Sequence, residues 1–451
     1  MAKRIKADIC VIGAGSGGLS VAAGAAQMGA RTVLVERDEM GGDCLNTGCV
    51  PSKALLAAAK QAYRMGAGEP FGIAPAEARV EFARVHDHVH GVIASIAPND
   101  SVARFEGLGV TVIKEHARFR DGGTVIAGNA EIAARRFVIA TGSRAFVPPI
   151  PGLDKIPFYT NENIFENREC PAHLVVIGGG PIGMEMAQAH RRLGARVTVI
   201  EGLRVLSRED PELSAVVADR LRREGVEILE GAKVLSVSGE EGNIAVEVVQ
   251  GGQTRRIEGS HILVATGRRA NVEGLDLEKA GIEYTERGLK LDERLRTTNK
   301  RVFGIGDVAG GLQFTHVANY HAGIVIRNAL FRVPARADHH AVPWVTYTDP
   351  ELAHVGETEE EARQRYSKIN VLRWHLAEND RAQAERETEG LIKVVTTKKG
   401  RVLGATIAGY FLDHGNRTPA AVGNAVALAE LLPVLEAMGE RVRAAPRGDA
   451  K

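Results

Sequence analysis

The sequence predicts an α/β chain made of two tandem Rossmann-like folds followed by a C-terminal α+β domain. Three observations carry that prediction. A strand, glycine turn, helix and strand open the chain, the same unit returns near residue 174, and strand-like segments mixed with helical ones begin at about Ala341. Length agrees, because 451 residues exceed what one hydrophobic core organises and suggest about three domains. The expected boundaries are 1–150 (completed by 272–338), 151–271, and 339–451, with the last atypical after 410.

In chain order, Ala7–Ile12 is β-branched and apolar, Gly13–Gly18 is the turn, and Leu19–Met28 is Ala-rich and closed by Gly29. Thr32–Val35 is a second short strand. The repeat comprises strand Leu174–Ile177, turn Gly178–Gly183, helix Met184–Leu193 and strand Arg196–Ile200. Between the copies, Gly109–Ala140 alternates apolar and polar residues around Asp121-Gly122-Gly123, a hairpin pattern capping the first fold. Both folds end in Ala-Thr-Gly, at Gly142 and Gly267, and Val147–Gly152 is the expected linker. Further on, Val342–Tyr347, Leu391–Thr396 and Val402–Ile407 are strand-like, and the charged tail Arg441–Lys451 is expected to be disordered.

Composition narrows the function classes. With 57 basic and 56 acidic residues the net charge is +1, which gives no electrostatic reason to expect nucleic acid or an anionic membrane as partner. No apolar window approaches the length of a membrane span, and Met1–Lys6 does not lead into a signal-peptide core. Four cysteines are too few for a secreted disulfide scaffold. The expectation is a cytoplasmic enzyme.

The turn Gly13-Ala-Gly15-Ser-Gly-Gly18 follows a strand and opens a helix. Its glycines permit the tight turn, close backbone approach to a pyrophosphate, and helix–strand packing. Glu36, at the end of the second strand, is placed to accept hydrogen bonds from a ribose; a tight turn without ligand is the plainer alternative. The second turn, Gly178-Gly-Gly180-Pro-Ile-Gly183, has Glu201 in the same place. A carboxylate there favours NAD over NADP, although Arg204 and Arg208 could still receive a phosphate, and a solvated loop acid is the alternative. Cys44 and Cys49, in Gly41-Gly42-Asp43-Cys44-Leu-Asn-Thr-Gly48-Cys49-Val-Pro51-Ser52-Lys53, could form a small-loop disulfide. A helix start and Lys53 would favour a thiolate at Cys49. No nearby Cys or His pair completes a metal site. Cys10 and Cys170 are read as structural thiols.

That cysteine segment resembles the signature of the class I pyridine nucleotide–disulfide oxidoreductases, which include dihydrolipoamide dehydrogenase, glutathione reductase and mercuric reductase. The likeness continues through both glycine turns, both Ala-Thr-Gly segments, Gly304-Ile-Gly-Asp307 and Pro343–Glu351, to about Gly409. It implies FAD in the first fold, a nicotinamide nucleotide in the second, and a redox disulfide between Cys44 and Cys49. Cys49 would face the flavin as charge-transfer thiolate, Cys44 would exchange with a small disulfide or dithiol substrate, and Lys53 would lie by the flavin ring. Asp307 resembles the acid on the ribityl chain, with Ala117 and Thr315 as backbone contacts and Thr141, Gly142 and Gly267 joining the cofactor-binding set. Glu185 matches an acid near the nicotinamide; read without the family it is a helix-surface carboxylate. The resemblance also implies a homodimer formed by the C-terminal domain.

The family's C-terminal His-Pro-Thr-x-x-Glu element is not found. His414-Gly-Asn-Arg-Thr-Pro419 lacks the acid, and likeness is read as ending at Tyr410. NADH is therefore expected to reduce the flavin while dithiol–disulfide turnover is slow, since a general base contributes roughly 10²–10⁴-fold. His339, His340 and His354 are candidate bases by residue type only, each read as a surface histidine. A diaphorase-only or non-catalytic flavoprotein is the alternative from another class. A mercuric reductase-like activity is disfavoured because no cysteine follows Cys170.

Overall fold

The computed structural model describes residues 3–240 and 242–409. Tyr410 onward, with His414, Pro419 and the charged tail, lies outside the described residues.

The first sheet is built on the apolar strand Lys3–Ile12, which pairs in parallel with Thr32–Val35 and with Ala130–Ile139; Thr111–Ile113 extends the parallel edge. Near-continuous burial of Ile9 to Ile12 fits a parallel strand covered on both faces. The predicted hairpins are Ala117–Asp121, Thr124–Ala127 and Ala130–Ile139, joined antiparallel. The last of these has two roles. Its first half completes the hairpin, and Phe137–Ile139 pair in parallel with Val302–Gly304 from much later in the chain.

A second parallel sheet has the order Glu227–Leu229, Arg196–Ile200, His173–Ile177, His261–Val264. A three-stranded antiparallel sheet, Ala232–Glu240 to Gln253–Gly259, packs against it through Val237, Val246 and Ile257. The strand pair Ser143–Ala145 and Arg268–Ala270 lies where the chain passes between the two folds. The C-terminal sheet is five-stranded and antiparallel, in the order Trp344–Thr346, Glu351–Gly356, Val402–Gly409, Leu391–Thr397, Ile369–His375.

Both glycine-turn helices begin earlier than the sequence suggests. They span Ser16–Gln27 and Pro181–Arg192, so that Gly17, Gly18 and Gly183 are helical. Glycine's low helix propensity hid these first turns, where packing against the sheet overrides it. One core cluster joins Leu55 and Ala59 of the helix Cys49–Gly66, Met184 and Ala187 of Pro181–Arg192, and Leu352 and Leu391 of the C-terminal sheet. The helix that begins at Cys49 is thereby fixed against the second fold. Among the described residues no helix is long and apolar enough to cross a membrane.

Candidate active site

The two glycine turns are near copies. Gly13 and Gly178 hold φ of +103° and +109°, and a Cβ on either would lie 2.4 Å from the carbonyl oxygen of Ala140 or Ala265. A Cβ on Gly18 or Gly183 would lie 1.8 or 2.0 Å from the carbonyl of the turn's own first glycine. Around Gly15 and Gly180, in contrast, nothing lies within 4 Å of such an atom. The outer glycines thus close the turn, and the middle one leaves open space at a helix N-terminus. That is the cradle a dinucleotide pyrophosphate requires.

Glu36 and Glu201 serve these turns directly. Glu36 accepts from the backbone N–H groups of Ala14 (2.5 Å) and Asp38 (2.6 Å). Glu201 accepts from those of Gly179 (2.7 Å) and Leu203 (2.9 Å). Each carboxylate therefore braces its own turn, a role the sequence reading did not foresee, and both still line the cavity. Neither is a loop acid held only by solvent.

The cavity is continuous, about 2260 Å³, and runs past both turns. Gly13, Gly15, Ala117, Thr141, Gly142, Asp307 and Thr315 line it on the first fold, and Gly178, Gly180, Glu201 and Gly267 on the second. Gly18 and Gly183 do not; they are packed beneath it. Cys44, Cys49, Lys53 and Glu185 line the same cavity.

Cys44 sits on the short helix Gly42–Asn46, and Cys49 is the first residue of Cys49–Gly66, so the intervening loop returns the two thiols to each other. Both are reduced. Their hydrogen bond polarises the pair: it pushes the Cys44 thiol up and holds Cys49 well below the usual thiol range. The Lys53 ammonium and the Thr315 hydroxyl, 3.3 Å from Cys49 Sγ, reinforce the depression against the cost of burial. Asp43 pins the loop through Thr47 (2.9 Å), Asn161 (3.0 Å) and Arg268 (3.3 Å).

Glu185 is buried rather than on a helix surface, at 5% exposure. Its Oε2 lies 2.9 Å from Lys53 Nζ and its Oε1 accepts from the backbone N–H of Tyr347 at 2.8 Å. Lys53 also lies 4.2 Å over the Tyr347 ring. Asp307 accepts from the Ser143 hydroxyl at 2.6 Å, with Arg268 at 3.7 Å, and burial raises its carboxyl above the usual range.

Several cavity residues escaped the sequence reading. Arg268 directly follows the second Ala-Thr-Gly yet reaches Asp43, Ser143 and Asp307. Trp344, Phe314 and His316 form a parallel aromatic stack, and Trp344 Nε1 donates to Glu209 at 2.8 Å. Burial pushes Glu209 up to about 7. The second oxygen of Glu209 has no hydrogen-bond partner among the described residues. Trp344 and Tyr347 lie within Pro343–Glu351, a segment the family resemblance covers, and that is their signal in the sequence. His354 is a correction: it is wholly buried, bonded to Thr406 (2.8 Å) and to the carbonyl of Gly356 (3.0 Å), because the C-terminal sheet closes over it. His339 and His340 are exposed, engaged with His321 (2.7 Å) and Glu357 (3.1 Å). None of the three lines the cavity. Cys10 is core, and Cys170 is half-buried.

The family model for pyridine nucleotide-disulphide oxidoreductases matches residues 7–322, and that for their dimerisation domain matches 342–425. The second match runs past Tyr410, where the sequence reading had ended the likeness. The chain is 35% identical to a mercuric reductase of Bacillus cereus over 89% of its own length, but spans only 64% of that relative. It is 34% identical to a dihydrolipoyl dehydrogenase of Geobacillus stearothermophilus, covering 90% of this chain and 87% of that one. The solved structure of the HOCl-induced flavoprotein disulfide reductase RclA from Escherichia coli superposes with a TM-score of 0.82 at 28% identity, covering 95% of this chain and 93% of that one.

Proposed function

The chain belongs to the pyridine nucleotide-disulphide oxidoreductase family, and from that premise we propose that it passes electrons between NAD(H) and a small disulfide through FAD and the Cys44–Cys49 pair. Proteins of this family depend on FAD and bind a nicotinamide nucleotide. The observation that carries the proposal is the meeting of both glycine turns, the polarised cysteines and the Lys53–Glu185 pair in one cavity.

Gly13, Gly15, Glu36, Asp307 and the Ala-Thr-Gly residues Thr141 and Gly142 would hold FAD; Gly178, Gly180, Glu201 and Gly267 would hold the nicotinamide nucleotide. When bound, FAD supplies the two-electron exchange between nicotinamide and the cysteine pair. Everything else falls to the chain's own groups. Cys44 transfers its proton to Cys49 and attacks a substrate sulfur, which displaces the second substrate sulfur as a thiolate. Cys49 then passes that proton to the substrate thiolate already displaced and attacks the Cys44 sulfur, releasing the first substrate sulfur as a thiolate and closing the Cys44–Cys49 disulfide. Lys53 keeps a positive charge beside the pair, so the thiolate form costs less. Glu201 places a negative charge where a 2′-phosphate would sit, which supports NAD over NADP. The match to a dimerisation domain supports a homodimer.

A Hg(II)-reducing activity is the second reading, favoured by the mercuric reductases among the relatives. The test is stopped-flow mixing of the oxidised, FAD-loaded protein with NADH. Flavin bleaching followed by a long-wavelength charge-transfer band is expected, and C49S should abolish the band. Bleaching without the band in the unsubstituted protein would sink the proposal. Turnover with lipoamide, a dye acceptor or Hg(II) then separates disulfide reductase, diaphorase and mercuric reductase.

A further inference from the structure

We propose that His86, His90 and Glu166 form a binding site for one divalent transition-metal ion of the zinc class. His86 and His90 are four residues apart on the helix Phe82–Ile96, so their side chains stand on one face. Their rings stack with centroids 4.1 Å apart. Glu166 comes from a separate turn, Ile164–Glu166, with its Oε1 3.7 Å from Nε2 of His90. One donor atom from each of the three lies within 4.8 Å of the others. Zinc bonds of about 2.0–2.2 Å set tetrahedral donors roughly 3.3–3.6 Å apart. Closing that gap takes rotation of the imidazole rings as well as of Glu166, which is 66% exposed.

The donor set selects the ion. Two imidazoles and one carboxylate, without a thiolate, suit zinc, copper(II) or nickel rather than magnesium or calcium, which want oxygen alone. Three protein ligands also leave a fourth position for water or another ligand. The competing cation is Arg168, 2.8 Å from Nδ1 of His86; Asp87, 2.9 Å from the guanidinium, can retain it when it gives way. Asp87 also lies 3.2 Å from that same Nδ1, where a carboxylate can orient a metal-bound imidazole. The site neighbours the redox cavity: Nε2 of His90, which a metal would have to win from it, contacts the carbonyl of Phe165 at 3.2 Å, and Phe165 lines that cavity.

The test uses chelator-stripped, FAD-loaded protein carrying C44S and C49S, so that neither redox thiol can take the metal. Calorimetric titration with Zn²⁺ should show one site. H86A or H90A should weaken it at least ten-fold, the double substitution should abolish it, and H88A, an exposed histidine on the same helix, should leave it unchanged. Flavin content and the metal-free melting midpoint establish that each variant is folded. X-ray absorption of the zinc-loaded protein supplies a readout without histidine substitution, and should show two imidazoles and oxygen. No zinc binding, full affinity in the double variant, or a sulfur shell around the metal would overturn the assignment.

Discussion

At the scale of single residues, the site works by unequal division of charge. Cys49 keeps a thiolate because Cys44 donates to it and Lys53 stands near, while Glu185 holds Lys53 in place. In C44S the serine hydroxyl can still donate, so the oxidised flavoprotein should show the charge-transfer band at neutral pH and lose it on acidification. Adding K53M should raise the midpoint of that loss by about 1 pH unit, the usual effect of one nearby opposite charge. An unmoved midpoint would show that Lys53 does not stabilise the Cys49 thiolate. Glu209 shows the opposite case, a carboxyl that burial keeps protonated to about 7. The folded chain then holds a proton that the unfolded chain releases, so raising the pH from about 4.5 through 7 drains stability. E209Q lacks that proton exchange. Its melting midpoint should gain on the unsubstituted protein as pH rises across this window, and the gap should level off above it. A gap that stays constant would show Glu209 to be ionised throughout.

At the scale of elements, the two glycine turns allow one substitution to separate binding from folding. G15A adds a methyl group into open space at an ordinary φ of −75°, so the fold should survive while FAD binding weakens. G18A puts the same methyl group 1.8 Å from a carbonyl oxygen and should unfold or strongly destabilise the N-terminal fold. Flavin content beside circular dichroism reads both; equal effects would contradict the division of labour. These elements were also the most legible ones. Thr32–Val35 and Arg196–Ile200 match the sequence reading residue for residue, because β-branched runs between glycine turns have no competing pattern. The helix starts were missed where glycine masks propensity. Site residues within short motifs were legible too, whereas Arg268 reaching Asp43, or Glu209 meeting Trp344, depends on chain segments far apart in sequence. His354 was misread as exposed because periodicity alone does not say which face of a strand a later sheet covers.

At the scale of the whole molecule, Arg192 ties the three parts together. Its guanidinium, 3% exposed, pairs with Glu224 of the second fold and Asp349 of the C-terminal segment, each at 2.6 Å, and lies over the ring of Tyr63 on the helix that begins at Cys49. R192M would leave Glu224 to Arg220 (2.7 Å) and Asp349 to Lys60 (3.1 Å), each short of one buried charged partner, and should cost about 1.5–3 kcal/mol in a denaturant titration at neutral pH. Burial pushes Asp349 up, but Arg192 and Lys60 outweigh it and hold the group below its ordinary value. The stabilisation is therefore complete above the unfolded carboxylate range and fades as acid protonates Asp349, so the deficit of R192M should shrink below about pH 4. A deficit independent of pH would point to lost packing instead. The shared strand Ala130–Ile139 has a consequence for how the molecule is made. Its edge at Phe137–Ile139 waits for Val302–Gly304, which leave the ribosome only after the entire nicotinamide-type fold has been synthesised. The inserted fold can therefore mature first, and the half of the chain translated earliest is completed, with Asp307 in place, among the later events of biogenesis.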